Sequence, residues 1–288
     1  MNKNNKYVTL ARRELWEHRG LWAVPLAAAA LIVFGVMFGG MNITGNGFHF
    51  TLNSPMPPEA GPQVGAISLL GVATGIGLFA GIVIFVYLLD CLSAERKDRS
   101  ILFWKSLPVS DTETVIAKLA VALVVVPLLV LLLTVLLQPL IAGIVALRFP
   151  FTREYAWPLL GGSLTALPNL IGIGIIGLLW YAPIATYMML ASVLAKRTPI
   201  VYAVVPPVVL GVVERFMFST NHVFRFVGER LAPFPAGTSV VAKASDGSVS
   251  LSGDWWRAFG EPALWLGLLA AAAMIYVVIR LRRYRDDT

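Results

Sequence analysis

Cysteine is almost missing from this chain. Cys91 is the only one in 288 residues, which excludes an intrachain disulfide, a thiolate metal cluster and a dithiol redox pair, and leaves it a packing role near the end of an apolar run. Histidine is scarce as well: His18, His49 and His222 stand far apart, and none falls in a ligand spacing such as H-E-x-x-H. Charge is the most telling shortage. Only 14% of residues are charged while 57% are hydrophobic, and the mean hydropathy is +0.75. A soluble domain of this size needs a mixed charged surface that such a composition does not supply. The chain reads as an integral membrane protein.

Catalytic signatures are lacking too. The pattern G-x-x-x-x-G-K-[ST] does not occur, and Gly is never followed by Lys, so this chain is not expected to hydrolyse ATP through a P-loop of its own. No G-x-S-x-G elbow and no paired intramembrane carboxylates occur. Neither a bound cofactor nor an enzymatic activity is therefore expected. Gly172, Gly174 and Gly177 in GIGIIG match a dinucleotide-binding spacing, but they lie inside an apolar span rather than between a strand and a helix. Those glycines, and Gly71, Gly75, Gly77 and Gly81 in GVATGIGLFAG, are expected to let spans pack closely.

What the chain has in abundance is long apolar runs. Six are long enough to cross a bilayer as helices, at about 21–41, 64–92, 113–147, 164–194, 199–218 and 262–281, which predicts a single all-α, polytopic domain. Sixteen of the 23 Lys and Arg residues fall on one side of these spans: Lys3, Lys6, Arg12, Arg13, Arg19, Arg96, Lys97, Arg99, Lys105, Lys118, Lys196, Arg197, Arg280, Arg282, Arg283 and Arg285. The positive-inside rule then puts both termini in the cytoplasm, and the net charge of +7 reflects anionic headgroups, not nucleic acid. Residues 6–20 read either as an interfacial helix, with Tyr7, Val8, Leu10, Ala11 and Leu15 on one arc interrupted by Glu14, or as an ordinary charged stop. No small-residue cleavage site follows, so the first span is expected to be retained.

Ionisable residues at membrane depth are functional candidates. Asp90 at the inner end of span two, and Glu214 with Arg215 at the outer end of span five, are candidates for a gate or substrate path. Asp90 and Lys118 also lie close enough to the inner boundary to reach headgroups or water. Pro127, Pro139 and the Pro206-Pro207 pair read as hinges or as static kinks.

Charge gathers in one cytoplasmic loop, residues 93–112. Within ERKDRSILFWKSLPVSDTETVIAK, residues 95–118, Ser110 and Glu113 have the spacing of a capping box, and Pro108 favours a break just upstream. Helix three should begin there. Between them, Ile101, Leu102, Phe103, Trp104 and Leu107 are ringed by Arg96, Lys97, Arg99 and Lys105, the make-up of a protein-docking hot spot and equally of a headgroup anchor.

This stretch resembles the signature of the ABC-2 type transporter permeases, in which a span ends in Glu-Arg, a Gly-Thr pair follows, then an apolar helix, a Leu-Pro-Val-Ser element and a Gly-Lys. The chain has Glu95-Arg96, Leu107-Pro108-Val109-Ser110 and Ala117-Lys118. It departs from the pattern at Arg99-Ser100, where Gly-Thr is usual. The resemblance implies a multi-pass protein of a bacterial cytoplasmic (inner) membrane. It also implies a permease subunit of an ATP-driven exporter, paired with an identical or paralogous second permease chain, and a coupling helix that docks on a separate P-loop ATPase using ATP and Mg. Ile101, Leu102, Phe103 and Trp104 would enter the ATPase groove. Glu95, Arg96 and Lys105 would form its polar rim, Ser100, Leu107 and Pro108 its frame, and Lys118 would mark the base of span three. It further implies that segment 214–261, rich in aromatics and Arg, forms an external re-entrant hairpin. That segment reads as a gate, as a lipid contact or as simple anchoring, with Trp255 and Trp256 in an aromatic belt. The alternative to an exporter subunit is a self-contained secondary transporter or channel, which should show internal repeats; none is evident.

Overall fold

The computed structural model describes residues 3–38, 42–45, 48–51, 60–97, 110–148, 153–154, 156–195, 198–231, 241–245, 248–252 and 255–284. Helix α1 (Lys3–Glu17) leads into α2 (Gly20–Phe38), the first span. A short hairpin, β1 (Asn42–Gly45) with β2 (Phe48–Thr51), precedes α3 (Ala60–Asp90), and the turn after it opens α4 (Ser93–Lys97). The third span is built from α5 (Asp111–Ala120), a π-helical turn (Val121–Val125) and α6 (Val126–Arg148). Helix α7 (Ala156–Leu194), α8 (Pro199–Phe218), the short α9 (His222–Leu231), the hairpin β3 (Val241–Ser245) with β4 (Ser248–Ser252), a 3₁₀ segment (Trp255–Gly260) and α10 (Pro262–Tyr284) complete the chain. Six helices among the described residues are long and apolar enough to cross a membrane. The two hairpins and the early start of α7, eight residues before the expected 164, were not anticipated from the sequence.

Local chemistry explains the helix ends. Glu113 N–H donates to Ser110 Oγ at 3.2 Å, and Ser110 N–H donates to Glu113 Oε2 at 2.9 Å, so the expected capping box starts α5. Pro127 has no N–H for the Leu123 carbonyl, and its ring crowds that carbonyl. The π turn at Val121–Val125, just before it, widens the helix there.

Spans two and four run parallel and touch backbone to backbone. A methyl on Gly65 would stand 1.9 Å from the Leu159 carbonyl oxygen, and one on Gly162 1.8 Å from that of Pro62. The Ser68 and Ser163 hydroxyls meet Gln138 Oε1 at 3.0 and 3.1 Å, tying span three to the same contact. The expected glycine contacts therefore belong to other positions. Gly71, Gly77, Gly81, Gly174 and Gly177 have open space where a side chain would go, Gly75 meets only the tip of Ile32, and Gly172 houses an indole. A G-x-x-x-G spacing records which glycines share a face, not whether that face is the one pressed against a neighbour.

The main core lies toward the end of the molecule that carries both termini. Leu21, Tyr87, Leu88, Cys91, Val115, Val121, Met189 and Val278 pack there, with Ala11 and Leu15 of α1 against them. Tyr7 and Val8 stay exposed, so the apolar arc of α1 is divided between core and surroundings.

Candidate functional site

At this basic end, charged side chains from four elements meet, with Glu14, Glu95, Lys118 and Arg282 buried and Arg13 and Asp111 partly exposed. Helix α1 supplies Arg13 and Glu14, α4 supplies Glu95, α5 supplies Asp111 and Lys118, and α10 supplies Arg282. Lys118 Nζ lies 2.9 Å from each Glu14 carboxylate oxygen and 3.0 Å from Glu95 Oε1. Arg282 reaches Glu95 Oε2 with one nitrogen at 3.0 Å and Asp111 Oδ1 with another at 3.1 Å. Arg13 approaches Glu95 at 3.7 Å, and the Tyr87 hydroxyl donates to Glu14 at 2.9 Å. Lys118 is 1% exposed, Glu14 2% and Glu95 7%.

Lys118 therefore does not reach headgroups or water as expected. It projects inward between two carboxylates, placed by α1 and α4, which offset the cost of taking its charge out of water. Glu95 likewise faces the bundle. Glu14, which seemed to interrupt an apolar arc, is the Lys118 partner. The hub is balanced, with three acids against three bases, which is the condition for charges to stay ionised at such burial. Glu14, Glu17 and His18 bring ligand atoms within 4.8 Å of one another, but both Glu14 oxygens accept from Lys118, whose ammonium occupies the place of a metal's charge. Burial lowers the His18 pKa below its ordinary value.

The flanks of segment 98–109 are thus fixed. Arg96 donates to the carbonyls of Ser192 and Ala195 at the end of α7, a cation where a helix leaves its last carbonyls unpaired. Ser192 Oγ accepts from the backbone of Leu92 and Ser93 at 3.2 and 3.0 Å. Lys6 pairs with Glu113 at 2.7 Å. Ser100, Ile101, Leu102, Phe103, Trp104, Lys105, Leu107 and Pro108 lie outside the described residues. Asp90 is exposed at this end, where Ser93 Oγ donates to it at 3.0 Å.

The opposite end holds a second polar arrangement. Glu214 accepts from Thr220 Oγ at 2.6 Å and from the backbone N–H of His222 and Val223 at 2.7 Å each, capping α9. Arg215 donates to Asn221. These two candidates thus hold the turn at Ser219, whose φ of 51° is left-handed, and α9 folds back beside α8 with Phe224 against Gly211. Trp255 lies against Gly172 of α7 instead of in a belt facing lipid, while Trp256 stays exposed. Arg230, at the end of α9, was not singled out from the sequence. It is 2% exposed, donates to the Trp180 carbonyl at 3.0 Å and to that of Ala263, and stacks 4.0 Å from the Trp180 ring centroid and 5.5 Å from that of Phe226. A methyl at Gly267 would lie 2.5 Å from its guanidinium.

The fold defines a multi-span helical membrane protein with a buried ionic hub at its basic end. Comparison with protein-family models, with curated proteins and with solved structures found no match.

Proposed function

We propose that this chain is the permease subunit of an ATP-driven exporter of the ABC-2 type, one half of a dimeric path through the membrane. The ATP and Mg chemistry belongs to a separate cytoplasmic ATPase, and segment 98–109 is the docking element. One observation carries the reading. Arg282 of the sixth span bridges Glu95, just before that segment, and Asp111, just after it. Lys118 ties Glu95 to span three and to α1, and Arg96 ties the same turn to the end of span four. A displacement of the loop by an ATPase would pass into spans three, four and six together, because a buried ion-pair network has few intermediate arrangements.

The test is co-purification in mild detergent with the candidate P-loop ATPase, comparing the wild type with Phe103→Asp plus Trp104→Asp. The wild type should retain the ATPase, and the double variant should release it while remaining monodisperse. Equal retention by both would reduce the loop to a membrane anchor and remove the basis of the proposal.

A further inference from the structure

The two ends of the molecule treat buried cations differently. At the basic end Lys118 and Arg282 each meet carboxylates. At the other end Arg230 is equally buried, yet among the described residues no carboxylate lies within ion-pair distance of it. Its acceptors are two main-chain carbonyls, and its remaining contacts are aromatic faces. A guanidinium carries five N–H donors and stays charged in proteins, so this seat leaves both charge and donors undersupplied. A buried charge without a counter-ion is costly, most of all at membrane depth.

A second donor in the same place is also without an acceptor. The Trp180 indole Nε1 is buried and has no hydrogen-bond partner, although the ring beside it carries the Arg230 stack. Donors so placed suit an anion with at least two acceptor oxygens. Phe226, whose ring centroid lies 5.5 Å from the guanidinium, and Leu266 and Leu269, which flank Gly267 in sequence, are large, apolar and exposed, as an acyl chain beside a lipid headgroup requires.

We propose that Arg230 and Trp180, in the notch between spans four and six under α9, form a binding site for the phosphate-bearing headgroup of an anionic membrane lipid. The headgroup oxygens accept from the guanidinium N–H groups not engaged by the Trp180 and Ala263 carbonyls, and from the Trp180 indole N–H. Gly267 provides the room, since any side chain there collides with the guanidinium. The site is independent of the coupling proposed above, and its test reads lipid, not ATP.

The full chain, purified in neutral detergent, is titrated with dioleoylphosphatidylglycerol, with dioleoylphosphatidylcholine and with inorganic phosphate. Retained lipid is counted by native mass spectrometry, and thermal unfolding is followed in parallel. The wild type should bind the anionic lipid roughly tenfold more tightly than Arg230→Gln does, with Trp180→Phe intermediate because it keeps the stacking face and loses the donor. The zwitterionic lipid should not compete, and phosphate alone should not stabilise. If Arg230→Gln does not fold, Trp180→Phe decides by itself. Equal affinity in wild type and Trp180→Phe, or full stabilisation by inorganic phosphate, overturns the site.

Discussion

Lys118 shows how much depends on one side chain. Its ammonium is enclosed by Glu14 and Glu95 with almost no contact with water, so replacing it by an apolar residue of similar length takes from Glu14 the cation it meets and leaves Glu95 to Arg282 and Arg13. Lys118→Met should cost about 3–5 kcal/mol of stability, read as a fall in the thermal unfolding midpoint. The double variant Glu14→Gln, Lys118→Met should recover part of that loss, because it removes a charge of each sign. Additive losses would mean that the two residues do not act as a pair. Glu14 also shows why the hub was not legible in the sequence. Its partner is 104 residues away, and no local spacing in α1 announces an ion pair. A lone acid that interrupts an apolar arc is the one available signal, and it marks the side facing the protein.

Elements were legible where their causes are local. The capping box at Ser110 and the six apolar runs rest on neighbours within a few residues, and all appear in the structure. Contacts between elements were not. Gly65 and Gly162, which bring spans two and four together, look in the sequence like Gly71 or Gly174, where a side chain would meet open space. The short α9 depends on a similar long-range arrangement, since its N-terminal amides are held by Glu214 from the preceding span. Glu214→Gln removes a charge-assisted acceptor and should speed amide exchange at His222 and Val223 several-fold, while exchange in α3 and α7 stays unchanged. Unaltered exchange in α9 would show that Phe224 and Arg230 hold the helix without its cap.

At the scale of the whole molecule, the basic end joins α1, α4 and spans three, four and six through charges and helix-end carbonyls. The spans elsewhere meet mainly through apolar and small-residue contacts. On the proposed function, such a base moves as a unit. The measurement that tests the proposed function directly is ATP turnover by the candidate P-loop ATPase reconstituted with this chain in lipid nanodiscs, comparing wild type with Glu95→Gln plus Arg282→Gln. That pair of substitutions leaves the net charge unchanged and segment 98–109 intact. The double variant should still bind the ATPase, yet turn ATP over at least about tenfold less responsively to the permease. Wild-type turnover by a complex of normal composition would contradict the claim that the hub carries motion from the loop into the spans.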